Sequence, residues 1–136
     1  MQFTRRERDC LEQVRKEGGI TLVRLSKGLR IKPSTAHALV LRLVRKGAMS
    51  KDRNNVLRLT PTGERSVERI IFRHRVLEIL LANNGVSADE ACAECKKMDF
   101  LMSDKVANEL FERLRRPKVC PHGNPIRIAP KSGKGA

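Results

Sequence analysis

Two short amphipathic stretches separated by a turn of a few residues constrain this chain more than any other feature. Leu22, Leu25 and Leu29 predict a helix beginning at about Thr21. The segment Arg30-Ile31-Lys32-Pro33-Ser34 breaks it, and Pro33 suits the first position of a new helix, where a missing N–H costs nothing. Ala36, Leu39, Val40, Leu43 and Val44 then recur at i, i+3, i+4, i+7 and i+8, the one-sided stripe of a third helix ending at Gly47. Two helices joined in this way, the second opening with small polar groups, read as a helix-turn-helix. A first helix from about Thr4 to Lys16, with Cys10, Leu11 and Val14 inward, precedes them and ends at Gly18-Gly19. Ala48 to Lys51 and Val56 to Thr60 are short strands around the hairpin tip Asp52-Arg53-Asn54-Asn55, which makes the expected unit a winged helix-turn-helix.

Charge agrees with that placement. The 136 residues carry 29 Lys and Arg against 15 Asp and Glu, for a net +14. Up to residue 60 there are 15 basic and 5 acidic side chains (+10), and after it 14 and 10 (+4). An excess concentrated in the helix-turn-helix part predicts a polyanionic partner rather than a uniformly basic surface. Tyr and Trp are absent and only 4 Phe occur, so stacking platforms for single strands are poorly supplied and double-stranded DNA is the expected ligand. No apolar run approaches the roughly 20 residues that span a bilayer, and Met1 to Glu7 has no signal-peptide core. The expectation is a soluble, cytoplasmic protein with no membrane partner.

The second half mixes apolar periodicity with potential ligands. Thr60-Pro61 caps a long helix to about Asn84, whose stripe of Val67, Ile70, Ile71, Leu77 and Leu81 also contains His74 and Glu78, four residues apart. Polar groups on such a face need partners. Ser87-Ala88-Asp89-Glu90 is a capping box opening a helix with Ala91, Cys92, Cys95, Asp99 and Met102 inward. A last helix from Ser103 to about Arg116 uses Val106, Leu110, Phe111 and Leu114. Cys120-Pro121-His122-Gly123 then places a thiol and an imidazole two residues apart on a stiff loop, half of a site for a soft divalent metal. Four cysteines at uneven spacing beside His, Glu and Asp favour metal ligation over a disulfide framework. The bland alternative is that His74 and Glu78 form a helix pair and the cysteines are core residues.

Four stretches carry a resemblance: Pro33-Ser34-Thr35, Leu59-Thr60-Pro61-Thr62-Gly63, Arg73-His74-Arg75-Val76-Leu77-Glu78, and Met102-Ser103-Asp104 followed by Cys120-Pro121-His122-Gly123-Asn124-Pro125-Ile126. Together they resemble the diphtheria-toxin-repressor and manganese-transport-regulator family of metal-dependent transcription factors, over about residues 5 to 126. The resemblance implies a mainly α fold with a small β wing: a winged helix-turn-helix DNA-binding domain at 1–62, a helical dimerisation and metal-binding domain at 63–126, and a flexible basic tail at 127–136. It corresponds to the two-domain form without the SH3-like domain of longer members. It also implies a homodimer placing two recognition helices in successive major grooves of a palindromic operator. Lys32, Ser34, Thr35, His37 and Arg42 would then lie near DNA, with Lys51, Arg53, Asn54 and Asn55 as wing contacts. Lysines and hydroxyls would mostly hold phosphate, leaving His37 and Arg42 as the base readers.

Two family metal sites map differently. The regulatory positions fall on Arg5 or Arg6, Arg8, Lys96 or Cys95, Asp99 and Phe100. Guanidinium groups have no lone pair to give, so this degenerate site is expected to hold no ion, with Arg8 or Arg5 paired to Asp99 instead. The second site falls on His74, Glu78, Cys92, Cys120 and His122, with Cys95 and Asp99 as extra candidates. Its nitrogen and sulfur donors suit Zn²⁺; Fe²⁺ or Co²⁺ also fit, and Mn²⁺ fits less well. The function implied is a transcriptional regulator, most simply a repressor, whose metal is either structural or sensory. The alternatives are a redox-responsive regulator using Cys92, Cys95 and Cys120, and a small metalloenzyme. The latter needs a general base that the sequence does not offer near the ligands, so no enzyme is expected.

Overall fold

The computed structural model describes residues 1–128; the expected tail at 127–136 lies, from 129 on, outside the described residues. The chain divides into two compact units, Met1–Val67 and the residues from Glu68 onward.

In the first unit, α1 (Arg5–Glu17) begins at a capping box: the Thr4 hydroxyl accepts from the Glu7 N–H at 3.2 Å while the Glu7 carboxylate accepts from the Thr4 N–H at 2.8 Å. It stops at Gly18, whose φ of 73° is the left-handed cap that glycine adopts without strain. After β1 (Ile20–Thr21) come α2 (Leu22–Leu29), capped by the Thr21 hydroxyl, and α3 (Pro33–Arg45), which opens on its proline. β2 (Met49–Lys51) and β3 (Val56–Leu59) form the wing. The sheet is antiparallel in the order β1-β3-β2, with Ile20 opposite Leu57 and Met49 opposite Leu59. Cys10, Leu11, Val14, Leu25, Leu39, Leu43 and Leu57 are buried as one core, so Cys10 packs as an ordinary apolar side chain. The wing closes on Thr60, whose hydroxyl donates to the Gly47 carbonyl at 2.5 Å and accepts from the Gly63 N–H at 3.0 Å. Gly63 is required there by space: a Cβ would stand 2.0 Å from the Ala48 carbonyl oxygen.

In this unit two details differ from the sequence reading. β1 was not expected, since two residues carry no periodicity and owe their extended form to pairing with Val56 and Leu57. Val44 is 42% exposed; at i+8 from Ala36 it has rotated past the edge of the stripe, and it lines an apolar groove of about 510 Å³ with Leu22, Val23, Leu41 and Leu57.

Helix α4 (Pro61–Asn83) starts in the first unit and continues in the second, followed by α5 (Ala88–Cys95) and α6 (Asp104–Arg113). The second core is Phe72, Val76, Ala107, Phe111, Cys120 and Ile126, with the Phe72 and Phe111 rings edge to face at 5.2 Å. On α6 the inward residue is Ala107, not Val106, which is 44% exposed; the phase is set by Phe111, and Ala107 is one turn before it. Arg73 donates to Asp104 at 2.7 Å and so ties α4 to the start of α6. Residues 118–126 form a self-bonded loop. The Ile126 N–H donates to the Lys118 carbonyl at 2.8 Å, the Cys120 N–H to the Asn124 carbonyl at 2.9 Å, and Arg75 donates to the Pro125 carbonyl. Among the described residues no helix is long and apolar enough to cross a membrane.

Candidate metal centre and nucleic-acid interface

All five expected second-site residues lie in the second unit, and Glu78 is their hub. It is buried on α4, one turn after His74. Its Oε1 is 3.2 Å from His74 Nε2 and its Oε2 is 3.3 Å from His122 Nδ1, so each carboxylate oxygen faces a different imidazole. Cys92 Sγ, from α5, lies 3.4 Å from His74 Nε2. His74, Glu78 and Cys92 form one group of mutually close donors and Glu78, Cys120 and His122 another, each within 4.8 Å. Cys95 and Asp99, the extra candidates, belong to neither group. Cys95 is buried, and its thiol is pushed up to about 12, chiefly by that burial and further by Glu78 and Asp99.

Each histidine is backed by a carboxylate on its far side. His74 Nδ1 is 2.9 Å from Asp99 Oδ2, and His122 Nε2 is 2.9 Å from Asp89 Oδ1. Such outer carboxylates fix an imidazole's orientation and raise its basicity as a ligand. Burial works against the charged form of His74, but the hydrogen bonds to Asp99 and Glu78 outweigh it, and its pKa rises to about 10. His122 is raised as well, first by Asp89 and then, against a smaller opposing effect of desolvation, by Glu78. Asp89 and the role of Asp99 escaped sequence reasoning. Asp89 served there only as part of a capping box, and nothing in the spacing ties it to a residue 33 positions away.

The donors fit a zinc-type ion on their chemistry. Two soft thiols and two borderline imidazoles outnumber the one hard carboxylate, and the nitrogen–oxygen and nitrogen–sulfur separations of 3.2 to 3.4 Å are close to those of neighbouring ligands on one tetrahedral ion, roughly 3.3 to 3.5 Å.

The expected regulatory positions are spread over both units. In the first, Arg8 is buried and paired with Glu12 at 2.8 Å and Asp9 at 3.1 Å, while Arg5 lies 4.0 Å from Asp9. In the second, Asp99 is buried against His74, and Lys96 and Phe100 are half-buried.

On the winged unit, Lys32, Ser34, His37 and Arg42 are exposed and Thr35 is half-buried, while Lys51, Arg53, Asn54 and Asn55 are all exposed on the wing. The wing tip is ordered by Asp52, whose Oδ1 accepts from the Asn54 and Val56 N–H groups at 2.8 and 3.0 Å. Asn55 takes a left-handed φ of 60°, which Asn tolerates. Arg42 departs from the outward face: its Nε is 3.6 Å from the buried Glu7 carboxylate. Leu41 and Arg45, at i+4 and i+8 from His37, do share that face and are exposed. Helical spacing from His37 would have found them.

Residues 60–128 match the family described as iron dependent repressor, metal binding and dimerisation domain. The chain belongs to the iron-dependent repressor family. It is 32% identical over 113 residues to an iron-dependent repressor of Mycobacterium leprae, covering 81% of this chain and 49% of that protein. An uncharacterised helix-turn-helix-type transcriptional regulator of Aeropyrum pernix is 32% identical over 108 residues, 76% of this chain and 58% of the relative. The chain thus spans half to three fifths of the length of these relatives. Among solved structures, a hypothetical protein of Sulfolobus solfataricus superposes with a TM-score of 0.81 at 33% identity, covering 92% of this chain and 99% of the other. The family is one of metal-dependent transcriptional repressors, and none of these names is that of an enzyme.

Proposed function

We propose that this iron-dependent repressor family member is a homodimeric DNA-binding regulator, acting as a repressor on a palindromic operator. In this reading a zinc-type site in its second unit comprises His74, Glu78, Cys92, Cys120 and His122. The observation that carries the DNA reading is the outer surface of α3. The helix contains no acidic residue, exposes Ser34, His37 and Arg45, and stands beside a wing bearing Lys51 and Arg53 in the half of the chain that holds +10 of the charge. Lys32, Ser34, Thr35 and the wing residues Lys51, Arg53, Asn54 and Asn55 supply phosphate contacts. His37 reads base edges, and Arg42 divides itself between DNA and Glu7.

A bound ion would supply a fixed positive centre that holds α4, α5 and the 118–126 loop to one another. Buried Glu78 supports this, because its carboxylate faces His74 and His122, imidazoles that accept either a proton or a metal. The regulatory positions Arg5, Arg8, Lys96, Asp99 and Phe100 hold no ion in this reading. Their arginines are ion-paired with Asp9 and Glu12, and Asp99 is engaged by His74. The redox alternative is less favoured at Cys95, one of its three cysteines, because burial pushes that thiol up to about 12 and withholds the reactive thiolate.

The test combines metal analysis of purified protein with DNA binding before and after chelation, on duplexes the protein selects from a random pool. Selected half-sites related by a two-fold axis, with copurifying zinc, are expected. Operator affinity that survives chelation assigns the metal a structural role, and affinity lost and restored by zinc assigns a sensory one. Absence of any salt-dependent duplex binding sinks the DNA reading.

A further inference from the structure

The apolar groove of the winged unit has no part in the function proposed above, although three residues of its rim do. It holds about 510 Å³, the size of an ordinary small-molecule pocket, and is framed by the start of α2, by α3 and by the wing. Val40 and Leu57 are buried and form its floor, while Val23, Leu41 and Val44 stand in its walls and remain 54%, 40% and 42% exposed. Surface apolar residues normally come one at a time; three large ones around a single concavity mark a place that binds something. The polar side chains that line the groove are those of Thr21, His37, Lys51 and Asn55. None of these is acidic, α3 contains no acidic residue, and among the described residues no ion pair engages Lys51. An apolar body is thus joined to one permanent positive charge that nothing in the lining answers.

We infer that this groove binds an aliphatic monocarboxylate of medium chain length, its chain laid over Val40 and Leu57 and its carboxylate at Lys51, and that the bound acid competes with duplex DNA. The second clause rests on the DNA reading above, in which His37, Lys51 and Asn55 contact the duplex; the first clause does not. Charge and shape both select this ligand. A monoanion matches the single lysine, and the His37 ring and the Asn55 amide can donate to a second carboxylate oxygen. A headgroup with many polar atoms would leave most of them unpaired against apolar walls, and a cation would find no acid. Competition follows from shared residues, since Lys51 cannot hold a carboxylate and a phosphate at the same time. The groove would then make DNA binding responsive to an organic acid, separately from any metal in the second unit.

The test adds decanoate to the full chain and follows the methyl signals of Val23, Leu41, Val44 and Leu57 by NMR, with duplex affinity measured in parallel by fluorescence anisotropy. Saturable shifts centred on those methyls are expected. Octanoate should bind about fifteenfold more weakly, because it buries two fewer methylenes at roughly fourfold each. Decanol should also bind more weakly than decanoate, and Lys51→Ala should remove that difference. Val44→Glu, at an exposed position and with its helices checked by circular dichroism, should weaken decanoate about tenfold by setting one carboxylate against another. Saturating decanoate should lower duplex affinity several-fold. No saturable shift, equal binding of decanoate and decyltrimethylammonium, or undiminished binding to Val44→Glu overturns the site. Shifts of the same methyls on raising protein concentration alone would put a second copy of the chain in the groove and overturn it equally. Decanoate bound with duplex affinity unchanged overturns the competition alone. Protein that binds no duplex at all sinks the DNA reading, and the methyl shifts still decide the site.

Discussion

Glu7 in the first unit and Glu78 in the second are both buried carboxylates, yet their neighbours differ in kind. Glu7 receives Lys46 at 2.8 Å and Arg42 at 3.6 Å, cations that stay charged across the physiological range. Glu78 faces His74 and His122 and shares its two donor groups with Cys92 and Cys120, whose charge depends on whether a proton or a metal is bound. The winged unit thus carries its electrostatic closure permanently. The second unit has a closure that solution conditions can remove.

The largest expected effect follows from removing metal. With zinc free at about a thousand times its dissociation constant, chelation should cost the second unit about 4 kcal/mol and leave the winged unit unchanged, which calorimetry would resolve as a shift of one transition out of two. A single transition shifting as a whole would show that the contrast does not separate the units.

Next comes Glu7→Gln. It keeps the capping box but strips the charge that Lys46 and Arg42 face, and it should destabilise the winged unit by about 1–3 kcal/mol in urea denaturation at neutral pH. Gly63→Ala should cost a similar amount, about 1–3 kcal/mol, because its new methyl must displace the Ala48 carbonyl.

The pH responses should run in opposite directions. Burial raises the Glu7 pKa, but Lys46 and the Thr4 backbone bond bring it below 4.5; its contribution is present above 4.5 and is lost as pH falls through that lowered value. His74 is raised from 6.5 to about 10, so in metal-free protein its contribution is complete below 6.5 and disappears as pH rises toward 10. Metal-free stability of the second unit should therefore fall across pH 6.5 to 10, as measured by thermal melts in a buffer series, and His74→Ala should flatten that slope. The smallest effect belongs to the surface: Lys97→Ala breaks an exposed pair with Glu94 and should change stability by less than about 0.5 kcal/mol.

Much of this contrast was legible in the chain itself, for local reasons. Pro33, Gly18, Thr60 and Ser87 mark helix ends by chemistry that acts within four residues, and the structure uses each of them that way. His74 and Glu78 were visible as a pair because i and i+4 share a helix face. The rest depends on contacts that spacing does not encode. β1 exists only through its pairing with β3, and the phases of Val44 and Val106 are decided by what packs beside them. The approach of Arg42 to Glu7, 35 positions earlier in the chain, has no signature in spacing either. Asp99 and Asp89 reach their histidines across 25 and 33 residues, so the outer layer of the site had no signature in sequence.

The self-bonded loop that carries Cys120 and His122 sets a practical boundary for anyone shortening or fusing this protein. Its hold on the core passes through Cys120 and Ile126, the latter being the last buried residue among those described. A version cut back to Asn124 would retain every helix and read as folded by circular dichroism. It would nevertheless have lost an anchor of the segment that presents Cys120 and His122, two of the five proposed metal donors.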